Sequence, residues 1–391
     1  MSAPKLRFKE FDGDWTLDKV GKFLIEYKQK VPSSTDIEIY SSSRNGLKPQ
    51  KEYFDNRELQ NFGEYGVVPP NYLTYRHMSD DTTFKFNINL IGKKIVVSKE
   101  YPVFTTNEFM DSSFLLFKLN ESNDFKKFAI EQKKGGTRTR LYFKALCTWE
   151  TLLPTKEEQT KIANFLSAVD EKIAQLSQKL HLLEQYKQGM MQQLFSQQIR
   201  FKADDGSDFE EWIECKLGEI STTFSGGTPK STNKEFFIGT IPFIKSGEIS
   251  KKYTDQFINE LALKESSAKL VKKGDLLYAL YGATSGQVAL SQIDGAINQA
   301  VLCIRSNLNI KYLLNFFLWK KDSILSTYLQ GGQGNLSAAI LKEILIPVPC
   351  LEEQTKIANF LSAIDQKMNV VSEQLKQAQN WKKGLLQQMF V

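Results

Sequence analysis

The sequence predicts an α+β protein: two mixed α/β domains and two long helices, the whole plan written twice. Three observations carry this. A segment of 42 residues recurs at an offset of 195, half of the 391-residue chain. Each copy places apolar residues at alternating steps of four and three, the seam of a coiled coil. Elsewhere the chain breaks into short apolar runs bounded by glycine turns, the pattern of mixed α/β structure.

The repeat is direct. Residues 154–195 and 349–390 align without a gap, with 22 of 42 positions identical and twelve in a row from Glu157 to Ala168. A weaker repeat opens each half: Arg7-Phe8, Trp15 and Lys19-Val20-Gly21 return as Arg200-Phe201, Trp212 and Lys216-Leu217-Gly218. The boundaries that follow are a first domain over 1–153, a helix over 154–198, a second domain over 199–348 and a helix over 349–391. The two domains share little sequence. A duplication that keeps one part and diversifies another suggests a common frame carrying two different readers.

The first seam runs Ile162, Leu166, Val169, Ile173, Leu176, Leu180 and Leu183, and the second Ile357, Leu361, Ile364, Met368, Val371 and Leu375 in the same register. Pro154 and Pro349 precede the helices, and Glu157-Glu158 and Glu352-Glu353 occupy their first turns, where the helix dipole favours acids. Thirty-six residues at 1.5 Å each make a rod of roughly 54 Å. Each seam needs a partner, which is the other copy, the helix's own domain or a second chain. Lys187 and Lys382 fall on the seam, either setting register or carrying their charge outward.

Within the domains, Ile91–Val97, Phe114–Leu119, Ile241–Ile244 and Asp275–Leu280 read as strands and Leu313–Trp319 as the start of a helix. Turns are signalled at Asn45-Gly46, Gly226-Gly227, Gly247, Gly274, Gly282 and Gly286.

Composition narrows the chemistry. Apolar residues make up 41% and charged residues 25%, ordinary for a folded protein. No apolar run approaches the length of a membrane span. Met1–Arg7 lacks the apolar core of a signal peptide, so a cytoplasmic location is expected. The four cysteines are far apart and the histidines are only His77 and His181, so no metal centre is expected. There is no phosphate loop, HExxH or GxSxG. Val68-Pro69-Pro70-Asn71-Tyr72 inverts the order of the amino-methyltransferase signature and has no companion glycine-rich loop. A catalytic role is therefore not expected.

The net charge is +6, and its distribution is more telling. From Lys156 to Lys187 five cations balance five acids, whereas Lys126 to Lys144 holds seven cations against Glu131 alone. Lys133-Lys134-Gly135-Gly136-Thr137-Arg138-Thr139-Arg140 combines a backbone that can approach a partner with donors for phosphates and base edges. Arg44 and Lys48, beside the Asn45-Gly46 turn, are further candidates. In the second half the candidates are Thr228, Lys230, Lys245 and Ser246, the polar-aromatic loop of Tyr281, Thr284, Ser285 and Gln287, and the amides Gln333 and Asn335, which suit adenine edges.

Together these features resemble the specificity (S) subunit of type I restriction-modification systems. The resemblance rests on Pro-x-x-Glu-Glu-Gln-x-Lys-Ile-Ala-x-Phe-Leu at Pro154–Leu166 and again at Pro349–Leu361. It is supported by Ser225-Gly226-Gly227-Thr228-Pro229, Pro242–Ile249, Gly282–Gly286 and Asn298-Gln299-Ala300. The first domain departs from the Gly-Gly-Thr-Pro pattern and keeps only Gly135-Gly136-Thr137-Arg138. The resemblance implies two target-recognition domains joined by helices that pack antiparallel as a coiled-coil spacer, related by a pseudo-twofold axis. Each domain would read one half of an asymmetric bipartite site on double-stranded DNA. The spacer would set the gap and dock two methyltransferase (M) subunits carrying S-adenosylmethionine. Two restriction (R) subunits would bring ATP and magnesium, and this chain would hold no cofactor. A stand-alone DNA-binding protein, or a protein scaffold without such partners, is the competing expectation. A self-contained sequence-specific nuclease or methyltransferase would show activity of the chain alone, and a scaffold would show no sequence-selective DNA binding.

Overall fold

In the computed structural model, residues 4–54, 63–133, 137–328 and 336–390 are described. Two compact units emerge: Met1–Ser177 with Glu373–Val391, and Gln178–Ser372. Each holds one α/β region, the first half of the long helix that follows it and the last half of the other long helix. The long helices are Lys156–Phe195 and Leu351–Met389. Among the described residues no helix is long and apolar enough to cross a membrane, and no cluster of His, Cys, Asp and Glu could hold a metal ion.

The first unit is closed by a pairing of its ends. Strand Thr16–Lys19 runs antiparallel to Glu150–Leu153, with Thr16 opposite Leu153, so the chain entering the α/β region meets the chain leaving it for the helix. Between them lie a three-stranded sheet, in the order Ile95–Ser98, Glu64–Val68, Lys30–Pro32, and a four-stranded sheet, in the order Leu24–Glu26, Val103–Thr106, Leu73–Tyr75, Phe86–Ile88. Helices Ser112–Glu121 and Asn123–Glu131 bury Phe114, Leu115, Leu119 and Phe125 in one core with Leu73, Phe86 and Phe104 of the four-stranded sheet. The second unit repeats the closure with Ile213–Lys216 against Leu345–Val348. Its two sheets have four strands each, in the orders Ser221–Ser225, Val301–Ser306, Leu276–Ala279, Val288–Leu290 and Phe257–Ile258, Ile241–Ile244, Gly295–Ile297, Lys269–Val271. Helix Ile310–Tyr328 packs its Tyr312, Phe316 and Phe317 into the core.

Two expectations are corrected here. Phe114–Leu119 is helical, not extended. Asp111 caps the helix, accepting from the Ser113 and Phe114 amides, both at 3.0 Å. A short apolar run has no periodicity that separates a buried helix from a buried strand, and the cap decided it. The strand expected over Ile91–Val97 begins only at Ile95, because Gly92 turns with φ +81° and the Asn89 side chain closes the turn onto the Ile91 amide and the Lys93 carbonyl.

The repeated sequence builds a repeated anchor. Glu158 is fully buried and accepts from Arg7 Nε and Nη2, each at 2.7 Å, and from Trp15 Nε1 at 3.3 Å. Glu353, also fully buried, accepts from Arg200 Nε at 3.2 Å and Nη2 at 2.9 Å and from Trp212 Nε1 at 2.8 Å. Phe8 packs edge-on against Phe165, and Phe201 against Phe360, each pair 5.7 Å apart. Gln159 and Gln354 each donate back to the proline carbonyl five residues earlier, at 3.0 and 2.8 Å. The weak repeat that opens each half is therefore the other side of the strong one.

The long helices pack on each other in opposite directions. Lys382 meets Asp170 at 2.6 Å in the first unit, and Lys187 meets Asp365 at 2.7 Å in the second. Each pair maps onto the other by the repeat offset of 195. The seam lysines thus fix register by pairing rather than carrying their charge out to solvent. The seams also do more than pair. Ile162, Leu166 and Val169 share a core with Trp15, Phe114 and Leu115 of the first α/β region and with Leu385 and Met389 of the opposing helix. Ile357, Leu361 and Ile364 do the same with Leu217, Tyr312 and Leu313 of the second α/β region and with Leu194. Leu176 and Val371 are buried further along, and Ile173, Leu180, Leu183, Met368 and Leu375 are half-buried.

Candidate nucleic-acid interface

In the first unit two of the candidate cations, Arg44 and Lys48, line one cleft, and Arg138 is bound to Asp80 at its edge. Strands Tyr40–Ser43 and Gly46–Pro49 form a hairpin whose turn carries Arg44 and Asn45, and Gly46 closes it at φ +105°, where a side chain would be strained. Asn87 fastens the hairpin to the sheet, its Nδ2 donating to Ser42 Oγ at 2.8 Å and the Ser43 carbonyl at 3.0 Å. Facing it, Met78–Ser79 pairs with Thr139–Arg140, Thr139 opposite Ser79 and Arg140 opposite Met78. The cleft between hairpin and strand pair has a volume of about 250 Å³ and is lined by Arg44, Lys48, Arg76, Lys85 and Asp80, among others.

Two carboxylates hold the arginines. Arg44 Nη2 donates to both oxygens of Asp81 at 2.6 Å. Arg138 Nε donates to Asp80 at 2.8 Å. Asp81 also accepts from Ser79 Oγ at 2.8 Å and the Thr83 amide at 3.1 Å. The bonds from Arg44, Ser79 and Thr83 keep the Asp81 carboxyl well below the usual range, and Asp81 raises Arg44 in turn. Lys48 lies near Glu52 at 3.5 Å and Lys85 near Glu121 at 3.8 Å. Lys133, Thr137 and Arg140 are exposed. Lys134, with Gly135 and Gly136, lies outside the described residues. Arg76, Lys85, Asp80 and Asp81 were not singled out from sequence. The Ser79–Thr83 turn was the available signal, since serine and aspartate two apart favour side-chain-to-backbone bonds. Its meeting with Arg44 across 37 residues left no local trace.

In the second unit the glycine-rich motifs seat on one another. The Gly226 amide donates to the Asn298 carbonyl at 3.2 Å, and a Cβ at Gly226 would stand 1.7 Å from the Ile297 carbonyl oxygen, so only glycine fits. Thr228 Oγ1 donates to Gln299 Oε1 at 2.6 Å. Lys230 is exposed beside this contact. Buried Glu248 accepts from the Lys245 amide at 3.1 Å, Thr254 Oγ1 at 3.1 Å and the Asp255 amide at 2.9 Å, fixing the Lys245-Ser246-Gly247 turn. A Cβ at Gly247 would meet the Thr284 methyl at 4.0 Å, which brings that turn beside the Tyr281–Gln287 loop. Within the loop Ser285 Oγ donates to the Leu280 carbonyl at 3.0 Å, Gln287 is exposed and Tyr281 packs half-buried on the core. Gln333 and Asn335 lie outside the described residues, but Leu336, just beyond them, donates to the Leu280 carbonyl at 3.1 Å. Lys245, Ser246, Tyr281, Thr284, Ser285 and Gln287 thus form one group. The Thr228 hydroxyl proton is committed to Gln299 across the two motifs, and the Ser285 hydroxyl proton to closing its own loop.

The two units therefore share a frame and differ in what the frame displays. One shows carboxylate-held arginines in a cationic cleft, the other a polar loop over an aromatic core. The family model described as type I restriction modification DNA specificity domain matches twice, over residues 55–185 and 209–379. The type I restriction enzyme MjaVIII specificity subunit of Methanocaldococcus jannaschii is 27% identical, over 97% of this chain and 94% of that one. The MjaIX specificity subunit of the same organism is 31% identical over 48% of each chain. In fold, the crystal structure of a type I restriction-modification S subunit from M. genitalium superposes with a TM-score of 0.64 at 16% identity, covering 100% of this chain and 99% of that one. With one match in each half and full-length likeness in fold, the chain belongs to the type I restriction-modification DNA specificity domain family.

Proposed function

We propose that this chain is the DNA-reading subunit of a type I restriction-modification complex. The α/β region of each unit reads one half of an asymmetric, split DNA site. The paired helices set the gap and dock two methyltransferase subunits, and two restriction subunits complete the assembly in the cytoplasm. The chain supplies the address and no catalysis. S-adenosylmethionine, ATP and magnesium belong to the partner subunits. One observation supports this reading above the others: the anchors are the same and the seams share one register in both halves, while the displayed side chains differ. Identical readers would serve a palindrome, and unlike readers on a matched frame serve an asymmetric site. Phosphate contacts from cations such as half-buried Lys48 and exposed Arg140 would position each region, and a few base contacts would specify.

The test is to map N6-methyladenine across the host genome with and without this gene. Disappearance of one split, asymmetric methylated word on deletion is the expected result. A methylation pattern unchanged by deletion, together with no binding of the purified chain to methyltransferase subunits or DNA, would overturn the reading.

A further inference from the structure

A cleft that meets a polyanion gains nothing obvious from aspartates, yet the first unit places two of them against its arginines. Phosphate affinity alone favours bare cations, and each carboxylate lowers it. What a carboxylate adds is direction. Arginine carries five N–H donors. Asp81 engages only Nη2 of Arg44, and among the described residues Nε and Nη1 have no hydrogen-bond partner. Asp81 is itself held by Ser79 and Thr83, so the guanidinium is fixed to the turn and not only to another flexible side chain. The arrangement is repeated one residue earlier, where Asp80 holds Arg138.

An arginine held this way offers donors only. In the major groove guanine presents two acceptors, N7 and O6, and no donor, while adenine and cytosine each expose an amino group and thymine a methyl. We infer that Arg44 reads a guanine in the first half-site and that Asp81 is the positioning residue that determines this specificity. The inference rests on the first unit being a DNA reader. It adds one letter to the word and a reason for the aspartate: Asp81 orients the donors toward a base edge and weakens competing contact with phosphates.

The experiment maps N6-methyladenine in host strains carrying the wild-type chain, Arg44→Ala, Asp81→Asn or Asp81→Glu. It also measures binding of each purified full-length chain to duplexes with and without the wild-type word, over a range of salt. Arg44 and Asp81 are exposed, and matched melting temperatures will show that the variants fold. The expected result has four parts. The wild-type word contains a guanine that becomes degenerate in both Arg44→Ala and Asp81→Asn, its preference falling about tenfold to a hundredfold. The other half of the word is unchanged. Asp81→Asn binds unrelated duplex more tightly than wild type, as loss of the carboxylate that holds Arg44 requires. Asp81→Glu restores part of the preference. If a variant methylates too weakly to map, the binding preference decides.

A word unchanged in both variants overturns the inference and leaves the functional reading standing. A guanine relaxed by Arg44→Ala but not by Asp81→Asn removes the role of Asp81. A wild-type chain that directs no split word overturns the functional reading itself.

Discussion

His77 lies beneath Tyr142, ring centroids 5.5 Å apart, with its Nδ1 buried and unpartnered. Burial pushes its pKa below the ordinary 6.5, Arg140 and Arg76 push the same way, and Glu100 opposes them. The unfolded chain therefore binds a proton at a pH where the folded chain does not. Stability from this group is complete above about 6.5, falls as the pH drops below that value and levels off beneath the folded pKa. Melting temperatures measured between pH 8 and pH 5, on the order of the window where histidine titrates, should fall less steeply for His77→Gln than for wild type. Equal slopes would show that the neutral ring is not what acid attacks. Lys118 lies in the run Phe114–Leu119, whose expected strand is a helix. The helix buries it completely, 3.5 Å from Asp124 and 5.6 Å from the Trp15 ring. A buried lysine beside its partner is invisible in sequence because Asp124 comes from the next helix.

At the scale of elements, the start of each long helix is fixed by a buried ion pair, and that makes it fragile in a specific way. Removing the arginine leaves a carboxylate with no exposure and no counter-charge, which costs about 3–5 kcal/mol. An exposed pair would cost about 1 kcal/mol or less. Arg7→Ala should therefore destabilise the first unit and Arg200→Ala the second by the larger amount, each with little effect on the other unit. Denaturant unfolding followed by hydrogen exchange in the two helix starts will measure this, and a loss under about 1 kcal/mol would place the pairs effectively in water. The repeat made these positions legible, since Arg7, Trp15 and Glu158 each have a counterpart 193 to 197 residues on. Their joining was not legible. The acid pair reads from sequence as a helix-dipole feature, and only the fold shows that its second member turns inward to arginine and tryptophan. Lys187 and Lys382 were likewise visible as seam positions, and the partners Asp365 and Asp170 became evident once the helices ran in opposite directions.

For the whole molecule, the proposed gap-setting role makes a length prediction. Four residues added within one long helix, in the exposed stretch after Ser177, lengthen it by about 6 Å, comparable to one to two base pairs at roughly 3.4 Å each. The variant that still directs methylation should recognise the same two half-words at a gap longer by one or two base pairs. An active variant with the original gap would defeat the ruler idea.

The division between sequence and structure follows from what each interaction depends on. Periodicity and self-similarity are one-dimensional properties. The duplication, the two long helices, their seams and the α+β class were therefore fixed by the order of residues alone. The same comparison showed which parts are common and which diverge. The held arginines of the first unit depend on Arg44 with Asp81 and Arg138 with Asp80, which lie on a hairpin turn, a second turn and the bend before a strand, far apart in the chain. No periodicity links them, because their meeting is a product of sheet pairing and close packing. Tertiary structure alone decided that the arginines are held by carboxylates, that Gly226 touches Ile297 and that the seam lysines meet aspartates, since each of these is a distance between residues that the sequence keeps apart.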